Sequence, residues 1–359
     1  MKKYLLICLL IFGIVACGNK NETPQNEKPV VKIGVIDALS GKYAENGQNV
    51  RQAIEFAKQD IKSDIDFEFI FEDYGFEAMR AATAANKLIN ADKVDALISW
   101  SSLAGNVTAP LAERNKIVHF SICNDAQAAQ GKYNFTHFTP SEQLAEKLVE
   151  QIEQKNAKKV ALFAVYQPAL QKHTDAVENL LKAKGIAFER FNFTMDNLDF
   201  SLMLEKAKLG NFDVWYLCAL PPSLDVFLKN YFQKQINVPL VAIDSLLFAQ
   251  DKQMVEGMTF VTTPEGNGQL LQRLTKANGS TNYFSVGYAY DVAALLIKAY
   301  SELYDKNGKL PSSDEVADYL LNLHGYKGAV GAITMGKDGI VLSDAVIKQM
   351  KDGKPVTIE

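Results

Sequence analysis

From Val30 onward the chain alternates short, nearly unbroken apolar runs with longer stretches that are apolar only at helical spacing, and this alternation restricts the fold more than any other feature. A strand that is apolar on both faces belongs in a parallel sheet covered by helices on each side. Val31–Ile36, Phe67–Phe71, Val94–Ser99 and Ile117–Ser121 read as such strands. Between them lie three predicted helices, Asn46–Ile61, Glu77–Asn90 and Leu103–Asn115; in the first, Val50, Ala53, Ile54, Ala57 and Ile61 share one face. The pattern restarts after Pro140. Helices are predicted at Ser141–Gln154, Leu170–Lys184, Phe200–Leu209 and Ser223–Gln235. Strands are predicted at Val160–Val165, Ala187–Phe193, Val214–Cys218, Leu240–Ile243 and Met258–Thr262. A long helix, Tyr283–Tyr304, a shorter one, Ser312–Leu323, and turn-rich strands around Gly328–Thr334 and Gly339–Met350 complete the chain. The expected fold class is therefore α/β, in two units of roughly 110–125 residues, an ordinary domain size.

The N-terminus reads differently. Lys2 and Lys3 precede an apolar run from Leu5 to Val15. As a helix that run spans about 16 Å, roughly half of a hydrocarbon core, so it reads as a signal peptide over 1–16 and not as a membrane span. It ends in Ile14-Val15-Ala16-Cys17, which resembles the bacterial lipobox and implies lipidation at Cys17 and a lipid anchor in a membrane. Gly18 to Pro29 offers no apolar residue to a core; with Cys17 it reads as a tether over 17–29. Cys123 and Cys218 then remain, and both read as buried or cleft-edge thiols.

Other classes find little support. The formal net charge is −4 with Lys and Arg scattered, whereas nucleic-acid binders carry a basic stripe, so no nucleic-acid partner is expected. His119, His137, His173 and His324 stand alone, without metal-binding spacing, and each reads as structural. There is no nucleophile elbow or phosphate loop. Gly266-Asn267-Gly268 lacks a third glycine and reads as a plain loop. The expectation is a protein that is not an enzyme and uses no cofactor.

Polar residues instead follow the predicted strands, where open α/β sheets place ligands. Ser40 and Gly41 follow the first strand, with Asn46 and Gly47 at the next helix start. Ser101 and Ser102 follow the third, Cys123, Asn124 and Asp125 the fourth, and Asp244 and Ser245 the late strand Leu240–Ile243. Ser102 is placed to cap its helix, where free N–H groups and the helix dipole favour an anion. Asp244 reads equally as a turn acid, a cap or a ligand group.

Several stretches resemble the leucine/isoleucine/valine-binding protein family, the type I periplasmic substrate-binding proteins of ABC transporters. They are Ile33-Gly34-Val35-Ile36-Asp37-Ala38-Leu39-Ser40-Gly41 with Gly47, Ser102 through Ile117–Ser121, Gly287–Leu295, and Gly328 through Thr334 with Asp338-Gly339. The similarity runs from about Val30 to Val356. It implies two Rossmann-like lobes joined by three crossings, with a small-molecule ligand in the cleft between them and an ABC permease as partner. By the resemblance, lobe one is 30–140 with 264–343, and lobe two is 141–263 with 344–359. Ser102 would bind a ligand carboxylate, Cys123, Asn124 and Asp125 would help hold an ammonium, and Asp244 would complete that site. Departures stand at Asp125, at Leu220 and Asn46 where some members have tyrosines, and at Tyr166-Gln167-Pro168-Ala169. Gly75 and Ser101 occupy the places of a disulfide found in some members. A same-fold envelope lipoprotein acting as a sensor or accessory factor, without a permease, is the alternative.

Overall fold

A computed structural model describes residues 28–358, the side chains at 168 and 169 excepted. The signal-peptide and lipidation expectations, Cys17 included, therefore lie outside the described residues, as does most of the tether. The chain opens with β1 (Val30–Asp37), α1 (Ala44–Asp60), β2 (Asp66–Asp73), α2 (Ala78–Lys87), β3 (Ala96–Trp100), α3 (Ser102–Asn115), β4 (Val118–Ile122) and β5 (Asn134–Thr136). These strands form a parallel sheet in the order β2-β1-β3-β4-β5. Every residue of β3 and β4 is buried, the consequence of helices on both faces.

A second series follows: α4 (Ser141–Gln154), β6 (Lys159–Val165), α5 (Pro168–Ala183), β7 (Ala187–Phe193), α6 (Ser201–Leu209), β8 (Val214–Cys218), α7 (Ser223–Gln233), β9 (Leu240–Ile243) and β10 (Thr259–Thr262). The chain then passes through α8 (Gly268–Asn278), α9 (Val286–Asn307), α10 (Ser313–Leu321), β11 (Tyr326–Gly328), β12 (Gly331–Met335) and β13 (Val341–Leu342). It ends with β14 (Val346–Lys351) and β15 (Lys354–Thr357). The second sheet runs β15-β14-β10-β9-β8-β6-β7, parallel from β10 to β7, with β14 and β15 added antiparallel. One apolar core joins residues 31–138 to 270–341. Two others, on the second sheet, join residues 145–261 to strand β14.

The chain thus changes lobes three times, near residues 139, 263 and 343. Tyr288, fully buried on α9, collects all three passages. Its hydroxyl is 2.7 Å from Thr139 Oγ1 and also meets the hydroxyls of Thr263 and Ser343. Phe138 stacks on its ring at 4.4 Å. One turn further along α9, buried Asp291 accepts from the N–H groups of Ala329 and Val330 at 2.5 and 3.0 Å and so holds the β11–β12 turn. A side chain at Gly328 would meet the Asp291 carboxylate at 2.6 Å, which explains the glycine there.

Several sequence expectations need correction. The helix after β2 keeps α-geometry only to Lys87; its last turn, Leu88–Asp92, widens to π-spacing. Gly266-Asn267-Gly268 does open a helix, because the Asn267 side chain accepts from Leu270 N at 3.0 Å and caps α8. The Ser312 boundary is a reciprocal cap, with Ser312 Oγ accepting from Glu315 N and Glu315 Oε2 from Ser312 N. Among the described residues no helix is long and apolar enough to cross a membrane.

Candidate functional site

Because β1 to β4 are parallel, their C-terminal ends share one edge of the first sheet. Asp37 ends β1 and is fully buried. Its Oδ1 accepts from Ala38 N at 2.8 Å, while Oδ2 has no partner among the described residues. Burial, with nearby Asp73 adding, pushes its carboxyl up to about 8 against the pull of the Ala38 N–H and Arg51. A Cβ at Gly47 would stand 2.2 Å from Ala38 O and 3.0 Å from Asp37 Oδ1, so only glycine lets the first turn of α1 close over this acid. Asn46, half-buried, stands beside it in that turn.

Asp73, at the end of β2, organises the loop after β1. It accepts from Ser40 Oγ at 2.5 Å, Leu39 N at 3.0 Å, Gly75 N at 2.9 Å and Arg80 Nη2 at 3.0 Å. Partial burial opposes its charge, but these donors hold it below the usual carboxylate range. The Ser40 hydroxyl is thus engaged in the loop.

At the end of β3 the helix cap is Ser101, not Ser102. Ser101 turns the chain at φ +84° and its Oγ accepts from Ala104 N at 3.4 Å. The same Oγ lies 2.8 Å from Tyr74 Oη. Ser102 is already helical, and its side chain lies beside the Cys123 thiol. A non-glycine residue at positive φ is a strained backbone that the surroundings must hold, and such positions gather at functional sites.

Cys123 is buried and free, its thiol pushed up by burial; Ser121 Oγ donates to its sulfur at 3.2 Å. Cys218 is also buried and free, pushed up to about 11. Asn124 is exposed. Asp125 accepts from Asn106 Nδ2 at 2.9 Å and Gln127 N at 3.1 Å. Burial works against its charge, but these two bonds and the Lys172 ammonium keep it ionised below the usual range. Lys172 belongs to α5, so this electrostatic contact runs from one lobe to the other.

The second sheet contributes Tyr166, Leu220 and Asp244 at the ends of β6, β8 and β9. Tyr166 is exposed and Leu220 half-buried. Asp244 keeps some exposed surface, but protein crowds it and burial pushes its carboxyl up to about 6. Thr262 Oγ1 donates to it at 3.3 Å, and Lys348 pulls the other way. Lys348, only 4% exposed on β14, pairs with Glu265 Oε2 at 2.9 Å. Asp37, Lys172 and Lys348 were not singled out from the sequence. The one visible signal was Lys348, a cation directly after the apolar pair Val346-Ile347.

The histidines are structural where their partners are clear. His119 sits between Ser99 Oγ and Asn134 Oδ1 at 2.8 and 2.9 Å, and burial pushes it down to about 4. His173 is likewise pushed down to about 4 by burial. A groove of about 700 Å³ between α9 and α10 lies away from the strand ends. Among the described residues no three His, Cys, Asp or Glu are grouped to hold a metal ion.

Two α/β lobes with polar and aromatic side chains gathered at their strand ends define a two-lobed binding protein of the type I periplasmic class. The family model for periplasmic binding proteins matches residues 30–355, and the chain belongs to that family. Its members are periplasmic binding proteins. No curated protein sequence matches it. Among solved structures it resembles a leucine-binding protein from Thermotoga maritima, at 22% identity and TM-score 0.71, covering 92% of this chain and 98% of that one. A branched-chain amino acid ABC transporter ligand-binding protein from Burkholderia xenovorans gives 18% and 0.79, over 92% and 94%. An ABC-transporter solute-binding protein from Rhodopseudomonas palustris, in complex with 3,4-dihydroxybenzoic acid, gives 18% and 0.72, over 92% and 96%. At these identities the likeness carries the fold alone.

Proposed function

We propose that the chain is the ligand-capturing lipoprotein of an ABC transporter, exported, anchored through Cys17, and handing a small carboxylate-bearing ligand to a permease. Lobe one would be 30–140 with 264–343, and lobe two 141–263 with 344–359. The observation that carries the reading is the N-terminus of α3 at the edge of the first sheet. Ser101 satisfies the Ala104 N–H, while the first N–H groups of a helix have no partner within it. They favour an anion, and the Ser102 hydroxyl lies with them, free of the capping duty. The two kinds of ligand named for the structural neighbours, amino acids and an aromatic acid, share a carboxylate.

Closure tests the reading as a whole. With Cys17→Ser protein, a small carboxylate that binds is expected to lower the radius of gyration and raise the melting temperature. A ligand at a thousandfold excess over Kd adds about 4 kcal/mol of stability. Stabilisation without compaction, or no binding by any amino acid, amide or carboxylate, counts against it. A cysteine variant that still partitions into detergent counts against the anchor.

The two serines are expected to separate. Ser101→Ala loses a cap and costs about 1 kcal/mol of stability whether ligand is present or not. Ser102→Ala leaves stability within about 0.5 kcal/mol. It weakens the carboxylate ligand at least about tenfold, since a hydrogen bond to a charged group contributes ~1.5–3 kcal/mol. Thermal melts and titration calorimetry of both variants decide this. Equal affinity for Ser102→Ala and its parent would remove Ser102 from the site.

A further inference from the structure

The first sheet's edge carries a feature that hydrogen bonding does not explain. Four aromatic rings meet there: Tyr43 just before α1, Tyr74 and Phe76 after β2, and Trp100 ending β3. Tyr43 and Phe76 have centroids 4.3 Å apart, Phe76 and Trp100 6.1 Å, Tyr43 and Trp100 6.3 Å, and Tyr74 and Phe76 5.9 Å. Tyr74 and Trp100 are buried and form a floor, while Tyr43 and Phe76 stay partly exposed above it. Tyr43 and Phe76 pack on the first core and keep part of each ring exposed, at the sheet edge where open α/β folds place ligands.

The backbone at Phe76 sharpens the point. It stands at φ +63°, directly after Gly75 at φ +55°. Glycine or asparagine would occupy that conformation with less strain. The loop is pinned on both sides, by Gly75 N to Asp73 Oδ1 at 2.9 Å and by Glu77 N to Tyr74 O at 3.0 Å. A benzyl group is therefore held in a costly conformation at an open edge, the pattern seen where strain serves a site. On the second lobe, Tyr166 follows β6 with 59% of its surface exposed.

We propose that the cleft takes a ligand whose non-polar end is an aromatic ring, seated on Phe76 and Tyr43 and covered by Tyr166. The proposal rests on the reading of the cleft as a carboxylate site and adds the class of ligand, an aromatic carboxylate or aromatic amino acid. Aromatic pairs in offset or edge-to-face contact gain beyond the area they bury, by up to about tenfold in affinity for a pair. A wall of tilted rings offers faces and edges to a flat guest, whereas a bulky aliphatic guest meets them only as apolar surface.

The test compares matched probes by titration calorimetry on the Cys17→Ser protein: benzoate with cyclohexanecarboxylate, and L-phenylalanine with L-leucine. At least one aromatic probe is expected to bind roughly tenfold more tightly than its aliphatic match. Phe76→Gly relieves the backbone strain but gives up the ring's contacts with Tyr43, Tyr74 and Trp100, so it is expected to lower the melting temperature by a few degrees, stay folded, and weaken the aromatic probe at least about tenfold. Phe76→Leu is expected to keep part of the affinity and lose the aromatic preference. Aliphatic probes that bind as well, or an aromatic probe indifferent to Phe76→Gly, overturn the proposal. If aliphatic carboxylates bind and depend on Ser102 alone, the carboxylate cleft survives and the aromatic wall falls. If no probe binds, both fall.

Discussion

Asp37→Asn is expected to be more stable than the parent at pH 9 by several kcal/mol and nearly equal to it below about pH 4. The Asp37 carboxyl rises from an ordinary value near 3.8 when unfolded to about 8 when folded. A raised carboxyl contributes stability that is complete below pH ~4 and lost as pH climbs through 8, because only the unfolded chain ionises freely over that window. At about 1.4 kcal/mol per pH step, the loss reaches about 6 kcal/mol as an upper bound. Asparagine keeps an oxygen for the Ala38 N–H and carries no charge, so its stability is flat across the window. Denaturant melts of both proteins from pH 4 to 9 measure the difference. Parallel curves would mean that Asp37 is ionised in the fold, with Arg51 as its compensating charge.

Asp244 carries the second large effect. Burial lifts its carboxyl to about 6, so the empty site is partly protonated near that pH. An ammonium group arriving beside it would favour the ionised form, releasing a proton on binding near pH 6 and tightening binding as pH rises from 5 to 7.5. Asp244→Asn is expected to weaken an amine-bearing ligand by ~2–5 kcal/mol, the range for truncating one side of a buried charge pair. It should also flatten the pH dependence of binding. Calorimetry with L-phenylalanine in two buffers of different ionisation enthalpy reads both effects. Unchanged affinity would assign Asp244 to Lys348 as a permanent internal partner and remove the ammonium from the ligand's description.

How much of this was legible follows from the range of the interactions. Apolar runs and helical spacing are local, and Ala187–Phe193, Val214–Cys218 and Leu240–Ile243 are strands over the ranges read from the sequence. The chirality of α/β units then brings strand ends to one edge, so Ser101, Ser102, Asp125 and Asp244 could be placed at strand ends without coordinates. Short elements escaped because three residues of β5, or a strand holding Pro355, set no period. Helix α8 hid behind two glycines and a cap that only its Asn267 geometry reveals. Charge contacts over long separations could not be read at all. Lys172 acts on Asp125 from another lobe, and Lys348 reaches Asp244 after about a hundred intervening residues. The exchange of cap from Ser102 to Ser101 turned on one dihedral angle that residue type does not announce.

The meeting of the three passages at Tyr288 bears on how the halves can swing. Strands anchored at separate points could slide past one another, but three chains tied to one phenol can only pivot about it. Each tie is a hydroxyl, from Thr139, Thr263 and Ser343, and each can give or take a proton-sharing contact. Because every member of the cluster is a hydroxyl, donor and acceptor roles can be exchanged among them without adding an unpaired polar atom to the buried centre.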